Sequence, residues 1–133
     1  MINPAICTEE EIAAFVRAFY TKVRNDDLIG PVFNAQVDDW EHHFVLLTDF
    51  WSSILRGSGR YSGTPMQKHI ALDELKPEFF ERWLALFRQT LSEQPNAALR
   101  ERALAAAQRI AQSLWYGWQM GKYPERMPTD LPL

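Results

Sequence analysis

The strongest constraint on this chain is a spacing. After Thr8-Glu9-Glu10-Glu11, whose T-x-x-E form is a capping box, apolar residues fall at Ile12, Phe15, Val16, Phe19, Tyr20 and Val23. Steps of three and four place them on one face of a helix, and the box satisfies the free amides at its start. The same period returns three times. Asp38 or Asp39 can cap a helix from Trp40 to about Arg56, stopped by Gly57, with an inner face of Trp40, His43, Leu47, Phe50 or Trp51, and Ile54. Lys76-Pro77-Glu78 opens another, with Phe80, Trp83, Leu84, Phe87 and Leu91 inward. Asn96 caps the last, whose buried face reads Ala103, Ala107, Ile110, Ala111, Leu114 and Trp118, with Gly121 as its stop. No strand pair or repeat interrupts this pattern. The expected fold class is all-α: four substantial helices and one further turn at Thr64-Pro65, which reads as N-cap and first helical residue of a segment ending in His69.

Between these helices the chain punctuates itself. Asn25-Asp26-Asp27 ends the first helix, and Gly30-Pro31 breaks the chain before Val32-Phe33, read as an apolar pair at a corner. Gly57-Ser58-Gly59-Arg60-Tyr61-Ser62-Gly63 is a glycine-rich loop; with no strand before it and no Lys-Ser or Lys-Thr after it, it is not a phosphate loop. The expectation is one domain over 1–133, with a core of about 8–121 and a proline-rich tail, 122–133, without structure of its own.

Composition excludes several functions. The net charge of −3 and the scattered basic residues argue against nucleic acid as a partner. No apolar run is long enough to span a bilayer, so no membrane partner is expected, and acids at Glu9 to Glu11 argue against a leader, leaving the cytosol as the default compartment. The single cysteine, Cys7, makes no internal disulfide, no C-x-x-C pair and no C-x-x-C-H for covalent haem.

What remains is a set of histidines on a helical frame. His43 points inward among large apolar neighbours, as a core histidine or a ligand, whereas His42, about 100° round the helix, faces solvent. Tyr20 lies on a buried stripe, where a core tyrosine finds a partner for its hydroxyl. Di-iron chemistry needs paired E-x-x-H motifs, but Met66 stands three residues before His69. An H-E-x-x-H zinc motif is absent, and His42 and His43 diverge, so a three-histidine zinc site needs an unusual backbone. No G-x-S-x-G elbow supports nucleophilic catalysis. A flat cofactor between the second helix and the His69 turn, with one axial imidazole and a greasy aromatic slot, is consistent with the parts present.

At this point the chain resembles the truncated haemoglobins, and group III in particular. The resemblance rests on Phe19-Tyr20 through Val23-Arg24, Gly30-Pro31-Val32-Phe33-Asn34, Trp40 with His43, Phe50-Trp51, Gly57-x-Gly59-x-Tyr61-x-Gly63-x-Pro65-Met66-x-x-His69, and Phe79-Phe80-x-x-Trp83. It implies a two-over-two helical sandwich with the proximal helix reduced to about one turn, and non-covalent haem b. His69 would be the proximal iron ligand, Phe33 the corner residue against the haem, and Tyr20, His43 and Trp83 the distal residues. Leu47, Phe50, Trp51, Met66 and Phe80 are candidates for the apolar slot, some of them open to being helix core instead. Arg60, Tyr61 and Lys68 flank the proximal segment as propionate partners or as solvated surface.

The implied function is binding of dioxygen, nitric oxide, carbon monoxide or similar small ligands, in the oxygen-binding and transport class. Tyr20 can donate a hydrogen bond and an indole can only donate, so two donors on one ligand favour slow release. The alternative is turnover, as a nitric oxide dioxygenase or in peroxidase-like chemistry, which would need an external reductase. A cofactor-free helical interaction module is the third reading.

Overall fold

A computed structural model describes residues 6–61 and 74–132 of the 133. Five helices run in order: α1 (Glu9–Arg24), α2 (Gly30–Gln36), α3 (Trp40–Arg56), α4 (Pro77–Ser92) and α5 (Ala97–Lys122), with no strand among the described residues. Helices α1 and α3 pack together, α4 and α5 pack together, and contacts of α1 with α4 and of α3 with α5 join the two pairs. The all-α expectation holds. The turn expected to carry His69, together with Met66 and Lys68, lies outside the described residues.

The caps act where the sequence places them. Thr8 accepts from the Glu11 amide at 3.0 Å while Glu11 accepts from the Thr8 amide at 2.9 Å. Asp39 caps α3 through the His42 amide, and Gly57 ends it in the left-handed conformation at φ 69°, which L side chains adopt at a cost. Asn96 caps α5 through the Leu99 amide.

The centre is an aromatic cluster. Phe87 of α4 meets Phe19 at 4.9 Å, Phe15 at 5.0 Å, Trp51 at 5.3 Å and Trp83 at 5.4 Å between ring centroids. Each fully buried side chain of this size contributes about 1.5–3 kcal/mol, and ring pairing adds about 0.5–1.5 kcal/mol. Buried Ala103, Ala106, Ala107 and Ala111 give α5 a flat inner face, which lets it lie close to its neighbours.

Three expectations shift. The Gly30-Pro31 corner is a seven-residue helix, α2, with Pro31 in its first turn. A Cβ at Gly30 would stand 2.8 Å from the Arg24 carbonyl oxygen, so the corner closes only with glycine. The buried face of α3 is Phe44, Trp51, Ser52 and Leu55, whereas Trp40, Leu47, Phe50 and Ile54 are only partly buried. Helix α5 runs past Gly121 to Lys122, and Trp115, not Leu114, is its fully buried residue there. The segment after α5 forms no regular element but turns back along the helix: Gln119 exchanges hydrogen bonds with Thr129, Gln112 with Leu131, and Leu131 is buried. Side-chain amides on α5 here supply the backbone partners that a helix or strand would otherwise provide.

Candidate functional site

Four helices converge on Tyr20. Its ring is nearly enclosed at 5% exposure, with Phe19 at 4.6 Å, Phe33 of α2 at 6.0 Å, and Trp40 and His43 of α3 at 6.3 and 6.4 Å. Trp83 of α4 joins through Phe19, 5.4 Å away, and its indole acts on the Tyr20 hydroxyl as a donor. An indole N–H can only donate, so the phenol oxygen accepts and keeps its own proton to give elsewhere. Burial pushes the Tyr20 phenol well above its ordinary value, and the indole donor opposes that only in part. The group stays neutral at any physiological pH.

The structure thus brings Tyr20, Phe33, His43 and Trp83 together. Leu47, Phe50 and Ile54 continue from His43 along one half-buried stripe of α3, and Tyr61 closes edge-on over Phe50 at 5.1 Å. Trp51 and Phe80 belong elsewhere. Trp51 is 1% exposed with its ring on Phe87, and Phe80 is buried 5.9 Å from Trp115 of α5; both are helix–helix core. The Trp115 indole nitrogen itself is buried with no hydrogen-bond partner among the described residues.

Asp26, Arg82, Asn34 and Arg24, to which the sequence assigns no role around Tyr20, hold this corner. Asp26 accepts from the Leu28 and Ile29 amides, each at 3.0 Å, and from Arg82 of α4 at 2.7 Å. Burial raises its carboxyl, but the Ile29 amide, Arg82 and the Leu28 amide outweigh that and hold it below the usual range. Asn34 donates to the Arg24 carbonyl at 3.0 Å and accepts from the Trp40 indole at 3.1 Å, while the Arg24 guanidinium lies over the Trp40 ring at 4.9 Å. Asp26 had a legible signal, since aspartate in a turn bonds the backbone two residues on. Its pairing with Arg82, 56 positions away, had none.

A second polar cluster lies where the glycine-rich loop leaves α3. Glu9 pairs with Arg56 and Arg60 and accepts from the fully buried Ser52 at 2.7 Å; Ser52 and Ser58 share a hydrogen bond at 2.9 Å. Burial raises the Glu9 carboxyl, and the bonds from Ser52, Arg56 and Arg60 more than reverse it. Arg60 also meets Asp49 at 3.2 Å, and the Tyr61 amide donates to Ser53 at 3.0 Å. Arg60 therefore carries a structural ion pair.

This arrangement has relatives. Residues 2–115 match the model of a family described as bacterial-like globin. The chain belongs to the bacterial-like globin family. It is 38% identical to the group 3 truncated haemoglobin ctb of Campylobacter jejuni, over 77% of this chain and 84% of that protein. It superposes on the crystal structure of a group III truncated haemoglobin from Campylobacter jejuni with a TM-score of 0.77 at 34% identity, covering 91% of this chain and 96% of that one. The group III truncated globin resemblance and the two-over-two fold stand on these findings. Among the described residues no three His, Cys, Asp or Glu side chains converge to hold a metal ion, and no helix is long and apolar enough to cross a membrane. The residues present fit a haem: the half-buried Phe33, Leu47, Phe50 and Ile54 offer apolar surface beside a buried hydroxyl that retains a proton to donate.

Proposed function

We propose that this protein binds haem b non-covalently and, through it, dioxygen and related diatomic ligands. Haem held by the His69 imidazole would supply an iron with one coordination position open to a small molecule. Phe33, Leu47 and Phe50 would line the slot with apolar surface that excludes water. Tyr20 supplies a neutral donor, and Trp83 sets its direction by occupying the phenol oxygen. A neutral donor in a dry setting stabilises a polarised guest without the desolvation cost of a buried charge. The observation that carries this reading is the enclosure of Tyr20, 5% exposed, among Phe19, Phe33, Trp40 and His43 from three helices, with the Trp83 indole close by. The test is haemin titration followed by carbon monoxide and dioxygen kinetics. Stoichiometric binding with a Soret band, and faster dioxygen release in Tyr20→Phe, are expected; absence of a Soret band would leave a cofactor-free helical module.

A second reading is favoured by His43, which is half-buried beside Tyr20 and so lies between the cage and solvent. An imidazole there can pass protons, which suits nitric oxide oxidation or peroxide chemistry with an external reductase. Nitric oxide consumption with a supplied reductase, no faster than with free haem, would remove this reading.

A further inference from the structure

We propose that Asp26 is a positioning residue for the Tyr20–Trp83 pair, holding the helix that carries Trp83 in register with the corner that carries Phe33 through its contact with Arg82. The inference rests on the ligand-binding reading above only in its kinetic consequence. Its basis is the way the four helices are joined. The end of α1, the short α2 and Trp40 form one rigid unit: the Gly30 amide bonds the Asp26 carbonyl at 2.9 Å, no Cβ fits at Gly30, and Asn34 bridges the Arg24 carbonyl to the Trp40 indole. Helix α4 is tied to that unit by ring contacts, which slide easily, and by two directional contacts: Arg82 on Asp26 at 2.7 Å near its start, beside Trp83, and Lys22 of α1 on Glu93 at 3.0 Å at its far end.

The carboxylate is suited to the task. Its side chain is only 8% exposed, and one oxygen is spent on the Leu28 and Ile29 amides while the other takes the guanidinium. Rotating the carboxylate would break either its bonds to the Leu28 and Ile29 amides in the turn before α2 or its bond to Arg82. Arg82 precedes Trp83 in the chain, so a shift of the first turns of α4 moves the indole that bonds Tyr20. Trp83 and Tyr20 stand on α4 and α1, so how closely the indole approaches the hydroxyl depends on that register.

The test uses the whole haem-loaded protein with Arg82→Met, which keeps the aliphatic stem, and Asp26→Asn, whose side-chain oxygen can still accept from the Leu28 and Ile29 amides while losing the charge. The first readout is hydrogen exchange of the Trp83 indole N–H by NMR, which can be measured with or without haem and so separates this inference from the haem reading. Exchange about tenfold faster in both variants is expected, with Arg82→Lys restoring most of the protection. The second readout is dioxygen release, about threefold faster in Arg82→Met but unchanged when the same substitution is made in Tyr20→Phe. Unaltered indole exchange, or equal acceleration of release in both backgrounds, would overturn the assignment. Failure of haemin to bind would remove the haem reading and leave the exchange result to decide this one.

Discussion

The cage around Tyr20 and the cluster around Glu9 are built from opposite materials. The first is rings closed on one neutral hydroxyl, and the second is two guanidinium groups and one serine, itself bonded to a second serine, gathered on a carboxylate. The difference follows from depth. A hydroxyl and an indole can be buried together at modest cost, because one hydrogen bond satisfies the donor that matters. Charges stay where water can still reach them, with Arg60 and Glu9 44% and 30% exposed. The molecule places neutral groups where a ligand would be read and charged groups where chain segments must be held.

Breaking the apolar side should cost most. Phe87→Ala removes the ring on which Phe15, Phe19, Trp51 and Trp83 meet, and a loss of about 3–5 kcal/mol in denaturant unfolding is expected. His69→Ala should lower haem affinity by about a hundredfold or more while helical circular dichroism stays near wild type; unchanged binding would remove the proximal assignment. Tyr20→Phe should speed dioxygen release by about tenfold, the loss of one donor of roughly 1–2 kcal/mol, and should also cost about 1 kcal/mol of stability because the Trp83 indole loses its acceptor. On the charged side the effect is smaller. Glu9→Gln should cost only about 0.5–1 kcal/mol after solvent screening, and the difference should shrink further in high salt.

Charged and neutral groups also separate on a pH axis. The folded-state carboxyls of Asp26 and Glu9 are depressed, so their stabilisation is present above the ordinary values of 3.8 and 4.5 and fades as pH falls through the lower folded ones. The Tyr20 phenol is raised, so its contribution is intact below its ordinary value of 10.0 and declines as pH rises beyond it. Acid titration of Asp26→Asn should show a flatter stability loss than wild type, whereas Tyr20→Phe should flatten only the alkaline limb.

Most of the frame was legible, because long amphipathic runs with explicit caps leave little choice. The faces of α3 were not. Apolar residues occupy more than half of its circumference, so periodicity finds the stripe of His43, Leu47, Phe50 and Ile54 without telling it from the core stripe of Phe44, Trp51 and Leu55. Only α1 and α5, packed against α3, decide which is which. Helix α2 escaped notice for a different reason. Seven residues beginning Gly-Pro carry no amphipathic signal, and the helix stands on Asp26 and on the close approach at Gly30. The meeting of Tyr20, His43 and Trp83 came from family resemblance; spacing alone put them on three helices with no distance between them.

The contact between Glu9 and Arg60 joins residues 51 apart. Closing so long a span is entropically costly until something else has already brought its ends near. In the folded chain the packing of α1 against α3 already holds those ends near one another, so Arg60 fastens the residues just after α3 to α1 at little further entropic cost.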